Sequence, residues 1–179
     1  DDNSASDGAA LAFSSAGGTV ANAMMACNTA TTDGGGIYAE AGGSTMMVNS
    51  VMYSNTAGTS STNGSQLYVG TGATIRVVNG IAQASTSSPL LYSAGTGDLS
   101  YTDLYNGSGG GTYSGSWTAG SGITGTGSLL SSVTCDGNPW NDDGSLAGSD
   151  GVDWGDTAIT DADGSRSDLG IEGGPSGTW

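Results

Sequence analysis

The sequence predicts an all-β fold, a parallel β-helix (solenoid) of about four to five coils with an irregular Gly/Ser- and Asp-rich C-terminal segment. Short apolar strands recur at a nearly constant spacing. Small residues dominate the 179-residue chain, which has 34 glycines and 35% hydrophobic residues. Such a composition also occurs in disordered chains. The repeat favours stacking, because a unit of about 25 residues buries its apolar face only against a neighbouring unit.

Each repeat begins with an asparagine, continues through a polar loop that contains glycine, and ends in a short apolar strand. The segments that align in this way cover residues 3–13, 28–39 and 55–69. Their starting asparagines are 25 and then 27 residues apart. The variation in length falls in the polar loop, where insertions are tolerated.

A second strand follows each loop and carries an internal asparagine, at Asn22, Asn49 and Asn79. These asparagines are 27 and then 30 residues apart, in step with the loops. We expect the three amides to lie at one corner and to form a hydrogen-bonded ladder from coil to coil, because a bend interrupts the bonding of the strands themselves. A weaker fourth repeat at 90–104 places Asp103 at the asparagine position.

Stacked strands would lie about 4.8 Å apart and point alternate side chains into a narrow core. The residues predicted to point inward are Ile37, Val48, Val51, Leu67, Ile75 and Val77. Arg76 lies between two of them and is predicted to point outward. The chain divides into β-helix coils (1–105), a Gly/Ser/Thr-rich extension with one possible last coil (106–135) and an Asp-rich closing segment (136–179).

A resemblance to known proteins lies in residues 28–39 and 48–57. They contain Asn-Thr-Ala followed by Gly-Gly-Gly-Ile-Tyr-Ala, and Val-Asn-Ser-Val-Met-Tyr-Ser-Asn-Thr-Ala. These phrases resemble the repeats of right-handed parallel β-helix proteins in the pectate-lyase-like superfamily, which includes bacterial surface proteins and polymorphic outer-membrane proteins. Residues 161–175 resemble the segment that closes such domains in large exported proteins. The resemblance implies a right-handed coil but no particular activity, because the fold hosts enzymes, adhesins and filaments.

The charge of the chain is strongly negative. Its 17 acidic residues face only two basic ones, Arg76 and Arg166, for a net charge of −15. Nucleic acid is excluded as a partner because no basic patch exists to neutralise phosphates. Anionic membrane surfaces are disfavoured for the same reason, and no stretch is apolar enough to insert into a bilayer. The acidic surface either keeps the protein soluble or attracts divalent cations.

Ca²⁺ is the one cofactor that the sequence suggests. Asp161, Asp163 and Asp168 place carboxylates on both sides of a glycine turn, a spacing that suits a hard cation. The alternative interpretation is that these aspartates end turns by accepting hydrogen bonds from backbone N–H groups.

The two cysteines, Cys27 and Cys135, are too few for a disulfide-rich scaffold or a zinc cluster. One disulfide between them is possible in an oxidising compartment, and it would tie the C-terminal segment to the first coils. The alternative is that Cys27 is a small buried residue of the stack, at the position that Ser54 holds one coil later.

We do not expect an enzyme, and the sequence offers no catalytic residues. Histidine is absent, so nucleophilic triads that use a histidine base cannot form. Arg76 is the only cation of the repeats, which disfavours a polysaccharide lyase. A hydrolase needs paired carboxylates. The candidate carboxylates, which do not share one coil position, are Asp33, Glu40, Asp98 and Asp103.

Two functions remain from different classes. The first is an extracellular structural protein, a building block of a surface filament, sheath or layer that self-associates by end-to-end stacking, because open strand edges template further pairing. The second is an adhesin or carbohydrate-binding module. The side chains offered as stacking platforms for sugars are Tyr38, Tyr53, Tyr68 and Tyr92. The chain starts at Asp1 without a visible export signal, which we interpret as the processed form of a secreted, cell-surface protein.

Overall fold

The structure is a computed structural model that describes residues 1–127, 129–138 and 141–177. Small parts of the two C-terminal segments therefore lie outside the described residues. The described chain is all-β and contains fifteen strands, one short 3-10 helix at Gly170–Glu172 and no α-helix. The strands are β1 (Ser4–Ala5), β2 (Leu11–Phe13), β3 (Gly18–Ala21), β4 (Met24–Ala26), β5 (Thr29–Ala30), β6 (Ile37–Ala39), β7 (Ser44–Val48), β8 (Val51–Tyr53), β9 (Leu67–Val69), β10 (Thr74–Ala84), β11 (Leu91–Asn106), β12 (Tyr113–Ala119), β13 (Ile123–Thr124), β14 (Leu130–Ser132) and β15 (Asp143–Leu146).

Eleven of these strands form one large sheet in which neighbouring strands are parallel. Each strand pairs with the strand one repeat later. We number the resulting rows 1 to 5, and they consist of β2–β4, β6–β8, β9 with β10, β11, and β12 with β13. Residues in register form columns across the rows. One column runs through Leu11, Ile37, Leu67, Leu91 and Tyr113.

The apolar core lies between the strands of the rows, and alternation along each strand fills it. Four predicted inward residues are buried there, at 0–2% exposure, namely Ile37, Leu67, Ile75 and Val77. Arg76 is exposed between Ile75 and Val77, as predicted. The prediction for Val48 is wrong, because Met47 is fully buried and Val48 takes the half-exposed position beside it. Residues 46–48 are all apolar, so the sequence does not show which of them point inward.

A second hydrophobic cluster lies outside this core. Val51 and Ile81 are fully buried, but they pack against the C-terminal segment. The prediction of Val51 as a residue of the narrow core is therefore wrong. The C-terminal side chains of the cluster are Leu129, Leu130, Leu169 and Ile171. Because the C-terminal segment covers these positions, consecutive residues of β10 are buried from Val77 to Ala84.

The extension and the closing segment have different structures. Residues 113–119 and 123–124 add row 5 to the parallel sheet as β12 and β13. The chain then forms a small antiparallel pair, β14 with β15, and continues as a mostly irregular segment. We call residues 151–177 the strap. Among the described residues, no helix is long and apolar enough to cross a membrane.

A disulfide joins Cys27, which follows β4 in row 1, to Cys135, which follows β14. The two cysteines are 108 residues apart in sequence. Cys27 is also buried, with 6% of its surface exposed, and it lies one residue beyond the register pair Ala26–Tyr53, beside Ser54 of row 2. The disulfide therefore ties the C-terminal region to the first row.

Replacing both cysteines should destabilise the fold substantially. We expect Cys27→Ala with Cys135→Ala to lower the free energy of unfolding by about 2–4 kcal/mol, because a cross-link that closes so long a loop restricts the unfolded chain. Urea denaturation measures the change, and the wild-type protein unfolded under reducing conditions is the control that should match the variant. Equal stability of the oxidised wild type and the variant would contradict this assignment.

Candidate functional site

The first candidate site is the corner where Asn22, Asn49 and Asn79 lie. All three residues adopt left-handed backbone angles, with φ of 46°, 48° and 54°. Asparagine tolerates this region better than most residues with a side chain. In row 4 the same place belongs to Tyr101, with φ of 47°, because the register pairs the residues on either side of it with those around Asn79. The prediction of Asp103 at this position is therefore wrong by two residues.

The amides at this corner bind the strap rather than one another. Asn22 donates from Nδ2 to the carbonyl oxygens of Ile171 and Gly173, at 3.0 and 2.8 Å. Asn49 and Asn79 both donate to the hydroxyl of Ser167, at 2.8 and 3.1 Å. The prediction that the amides of Asn22, Asn49 and Asn79 hydrogen-bond to one another is therefore wrong. The left-handed turn directs these side chains away from the sheet, where the strap satisfies them.

An amide ladder does exist at a different corner, among the asparagines that begin the repeats. Asn3 donates from Nδ2 to Oδ1 of Asn28 at 2.8 Å, and Asn28 does the same to Asn55 at 2.8 Å. Asn55 then donates to Oε1 of Gln66 at 2.6 Å. Asn28, Asn55 and Gln66 are buried. The recurrence of asparagine at the start of each loop was the signal that could have identified this ladder.

Arg166 fixes the strap at row 4. Its Nε donates to the carbonyl oxygen of Gly155 at 2.6 Å, and Nη2 donates to that of Trp154 at 3.1 Å. The guanidinium carbon lies 5.6 Å from the centre of the Tyr101 ring, a cation–π distance. One of the two cations of the chain therefore has a structural role that the sequence did not indicate.

The three aspartates predicted to bind Ca²⁺ accept hydrogen bonds within the strap. Asp161 accepts from the backbone N–H groups of Asp168 and Gly174, at 3.1 and 2.5 Å. Asp163 accepts from the backbone and hydroxyl of Ser165, at 2.9 and 2.6 Å, and these bonds hold its pKa below the usual value. Asp168 accepts from the backbone N–H of Asp153 at 2.7 Å.

These contacts are those expected of turn-ending aspartates. Burial raises the pKa of Asp168, and the charges of Asp161, Asp153 and Glu172 raise it further. In the described part of the chain, no group of three or more His, Cys, Asp or Glu side chains is placed to hold a metal ion.

The tyrosines form a stack rather than a platform. Tyr38, Tyr68 and Tyr92 lie in one column, with ring centres 5.3 and 5.5 Å apart and interplanar angles of 11° and 24°. Each ring covers a face of its neighbour, so a sugar could stack only at the two ends of the column. Tyr53, the fourth predicted platform, packs against the second hydrophobic cluster.

An acidic column lies beside this stack. Asp7 lies four residues before Leu11, and Asp33 lies four residues before Ile37. Asn63 has the same position before Leu67 in row 3. Oδ1 of Asp7 accepts the backbone N–H of Asp33 at 3.2 Å. Burial, with the charge of Asp7 as a second cause, raises the pKa of Asp33 to about 6.

The second candidate site consists of the two edges of the large sheet. Among the described residues, β2, β3 and β4 of row 1 form ladders only with row 2, while the carbonyl oxygen of Ala26 in β4 also accepts the backbone N–H of Asp2 at 3.3 Å. In row 5, β12 and β13 pair with β11 and with no other strand of the described chain. Leu11 and Tyr113 lie at opposite ends of one core column and are 36% and 40% exposed. This core column is thus exposed to solvent at both ends, although Val20 and Met25 of row 1 are buried.

A third candidate is an open groove of about 410 Å³ on the outer face of the sheet. Its floor includes Thr19, Met46, Arg76 and Asp98, which lie in register from row 1 to row 4. The groove therefore offers hydroxyl groups, the cation of Arg76, the carboxylate of Asp98 and the thioether of Met46. Such a set suits weak binding of a polar ligand. Asp103, by contrast, is fully buried two residues beyond the corner and accepts hydrogen bonds from Thr124 and Thr126.

Asp33→Asn should change how stability depends on pH. Because the pKa of Asp33 is raised in the folded protein, the folded state binds a proton more tightly than the unfolded chain, and stability is lost as the pH rises from about 4 to about 6. The variant should therefore be more stable than wild type at about pH 8, by about 1 kcal/mol or less after solvent screening.

The pH test compares urea denaturation at about pH 4 and about pH 8. Asp150→Asn, which removes an exposed carboxylate outside this column, controls for the change in net charge. We expect a gain at the higher pH for Asp33→Asn that exceeds the gain for the control. Equal gains at both pH values would contradict the expected linkage.

Removing one corner amide should loosen the strap. Asn49→Gly keeps the left-handed backbone but loses the hydrogen bond to Ser167, so we expect a loss of about 1–2 kcal/mol. Asn49→Ala adds strain in the left-handed region and should cost about 1 kcal/mol more. Hydrogen exchange of residues 167–174 measures the local effect. Unchanged protection there would contradict the role of the corner in holding the strap.

Compared with known proteins, the chain matches no protein-family model, no curated protein and no solved structure. Its function is therefore inferred from its own geometry.

Proposed function

We propose that the chain is an extracellular structural protein, a right-handed parallel β-helix that serves as a building block of a surface filament, sheath or layer. The parallel sheet supports the β-helix, because each strand pairs with its counterpart about one repeat later across all five rows. Left-handed residues recur at one corner of successive rows, as expected where a coil turns. A right-handed crossover is the hand that parallel strands strongly prefer.

The observation that carries the proposed function is the pair of open edges at opposite ends of one core. Natural proteins cover or charge such edges, because free N–H and C=O groups recruit further strands. Here the exposed residues Leu11 and Tyr113 extend the apolar column to each end. Val152, which lies on the strap, is the remaining large apolar side chain among the described residues with comparable exposure. Exposed apolar surface at both ends supports end-to-end self-association.

The net charge sets the conditions under which such stacking can occur. A charge of −15 on 179 residues makes copies repel one another at low ionic strength. At about 0.15 M salt the screening length falls to about 8 Å, so only short-range contacts at the ends then matter. Association should therefore strengthen with salt, and millimolar Ca²⁺ should strengthen it further if the aspartates bind it.

An adhesin that binds carbohydrate is the second candidate, and the outer groove favours it. Arg76 is exposed there beside Met46 and Asp98, and the remaining lining includes serine and threonine hydroxyls. These groups suit the hydroxyls and the apolar face of a sugar. The tyrosine stack does not add to this candidate, because its ring faces are covered by one another.

Charges placed at the open ends should prevent self-association. We expect wild-type protein to form polymers that sedimentation velocity and electron microscopy detect, and Leu11→Asp or Tyr113→Asp to remain monomeric. Val152→Asp is the matched control, since it changes an equally exposed apolar residue away from the edges. All three sites are exposed, so the variants should keep the wild-type circular dichroism.

The same experiment includes Ca²⁺ and a chelator. Polymers that disappear on chelation would implicate the aspartates, whereas polymers that persist would exclude Ca²⁺ as a requirement. A wild-type chain that stays monomeric under every condition would overturn the structural proposal. A glycan array would then test the adhesin, with Arg76→Ala as the variant expected to lose binding.

A further inference from the structure

We infer that assembly is polar and in register: row 5 of one copy stacks on row 1 of a second copy, so that each core column continues across the boundary. This inference rests on the proposed function and names the partner as another copy of this chain. It follows from the side chains that end each column. Because the strand register is known, each row 5 residue has one defined counterpart in row 1.

Three of the columns have ends of complementary size, whereas the column from Leu11 to Tyr113 has a large side chain at both ends. The column that ends in Trp117 begins at Gly18, and the column that begins at Phe13 ends in Gly115. A third column begins at the larger Val20 and ends in the smaller Ala119. Stacking in register would therefore place a large side chain against a small one at three neighbouring positions.

Trp117 shows within the chain how this contact works. Its indole packs directly on Gly97 of row 4, where a Cβ atom would collide with the ring. Trp117 is half-buried in the last row of the sheet, so part of its surface remains exposed. Gly18 of the next copy has no side chain of its own, so the indole would approach it beside the Phe13 ring.

Phe13 completes the fit on the row 1 side. Its ring lies beside Gly18, where Cε1 would be 3.0 Å from an added Cβ. An indole entering the space at Gly18 would therefore meet the Phe13 ring edge or face, an arrangement that aromatic pairs favour. Gly115, the counterpart of Phe13, presents no side chain that would block this ring.

Such an interface joins two different surfaces. Head-to-tail contacts of this kind leave one free end of each type on every oligomer, so they produce open polymers instead of closed dimers. The alternative is a contact between identical ends, which would stop at a dimer. The edges also favour the polar arrangement, because the strands of the two rows would continue the parallel pairing of the sheet.

The test mixes two variants that each lack one end. Tyr113→Asp blocks row 5 and Leu11→Asp blocks row 1, so each alone should be monomeric. An equimolar mixture should form heterodimers and nothing larger, because one intact row 5 meets one intact row 1. Sedimentation velocity with one fluorescently labelled variant measures this. Self-dimers of either single variant would overturn the polar arrangement, although polymers of the wild type would leave the proposed function standing.

A second variant tests the register. Gly18→Val adds a side chain at the position where we expect Trp117 to meet the Phe13 ring, and we expect the association constant to fall at least tenfold. Gly148→Val is the matched control, because Gly148 is exposed and has open space around its Cα. Circular dichroism and thermal unfolding confirm that both variants fold. Equal association of Gly18→Val and the control would overturn the in-register contact, while wild-type polymers would again leave the proposed function intact.

Discussion

Parallel register in the large sheet places the side chains of successive rows in columns, and the core, the corners and the two edges of the sheet follow from those columns. Since each strand bonds to its counterpart one repeat later, a side chain and its counterparts lie in one column. The column from Leu11 to Tyr113 is buried in its three central rows and exposed at its two ends. Each row uses hydrogen bonds to the next row, so the two outermost rows keep one edge without a neighbouring row. In the proposed assembly, the outermost row of another copy pairs with that edge.

The narrow core explains why the chain needs a strap. Rows of short strands bury little apolar surface, and only 35% of the residues are hydrophobic. The strap adds a second cluster on the outer side of the sheet around Val51 and Ile81. The amides of Asn49 and Asn79 hold it at the corner by hydrogen bonds, and the guanidinium of Arg166 packs over the ring of Tyr101. The disulfide of Cys27 and Cys135 holds the preceding segment to row 1.

Sequence patterns predicted the strands well where alternation was unambiguous. Ile37 and Leu67 were identified as core residues because each follows a polar loop and starts a short apolar strand. The pattern did not predict the correct face for Val48, because three successive apolar residues are compatible with either face of the strand. In the fourth repeat, Asp103 was predicted at the corner, but Tyr101 lies there. The loops of this repeat are shorter, and the prediction did not allow for that. Local pattern therefore indicates strands more reliably than it indicates which residue turns the corner.

The repeat, the strand positions, the excess of acid and the presence of asparagine at the corners can all be predicted from the sequence. What those asparagines bind depends on the folded structure. Asn22 and Asn49 meet partners 149 and 118 residues further along the chain, and no local pattern encodes contacts at such separations. The same holds for the ends of the core, because the size of each end residue becomes meaningful only once the register has placed it in a column. Spacing along a chain specifies strands, whereas burial and long-range contact depend on how the rows are stacked.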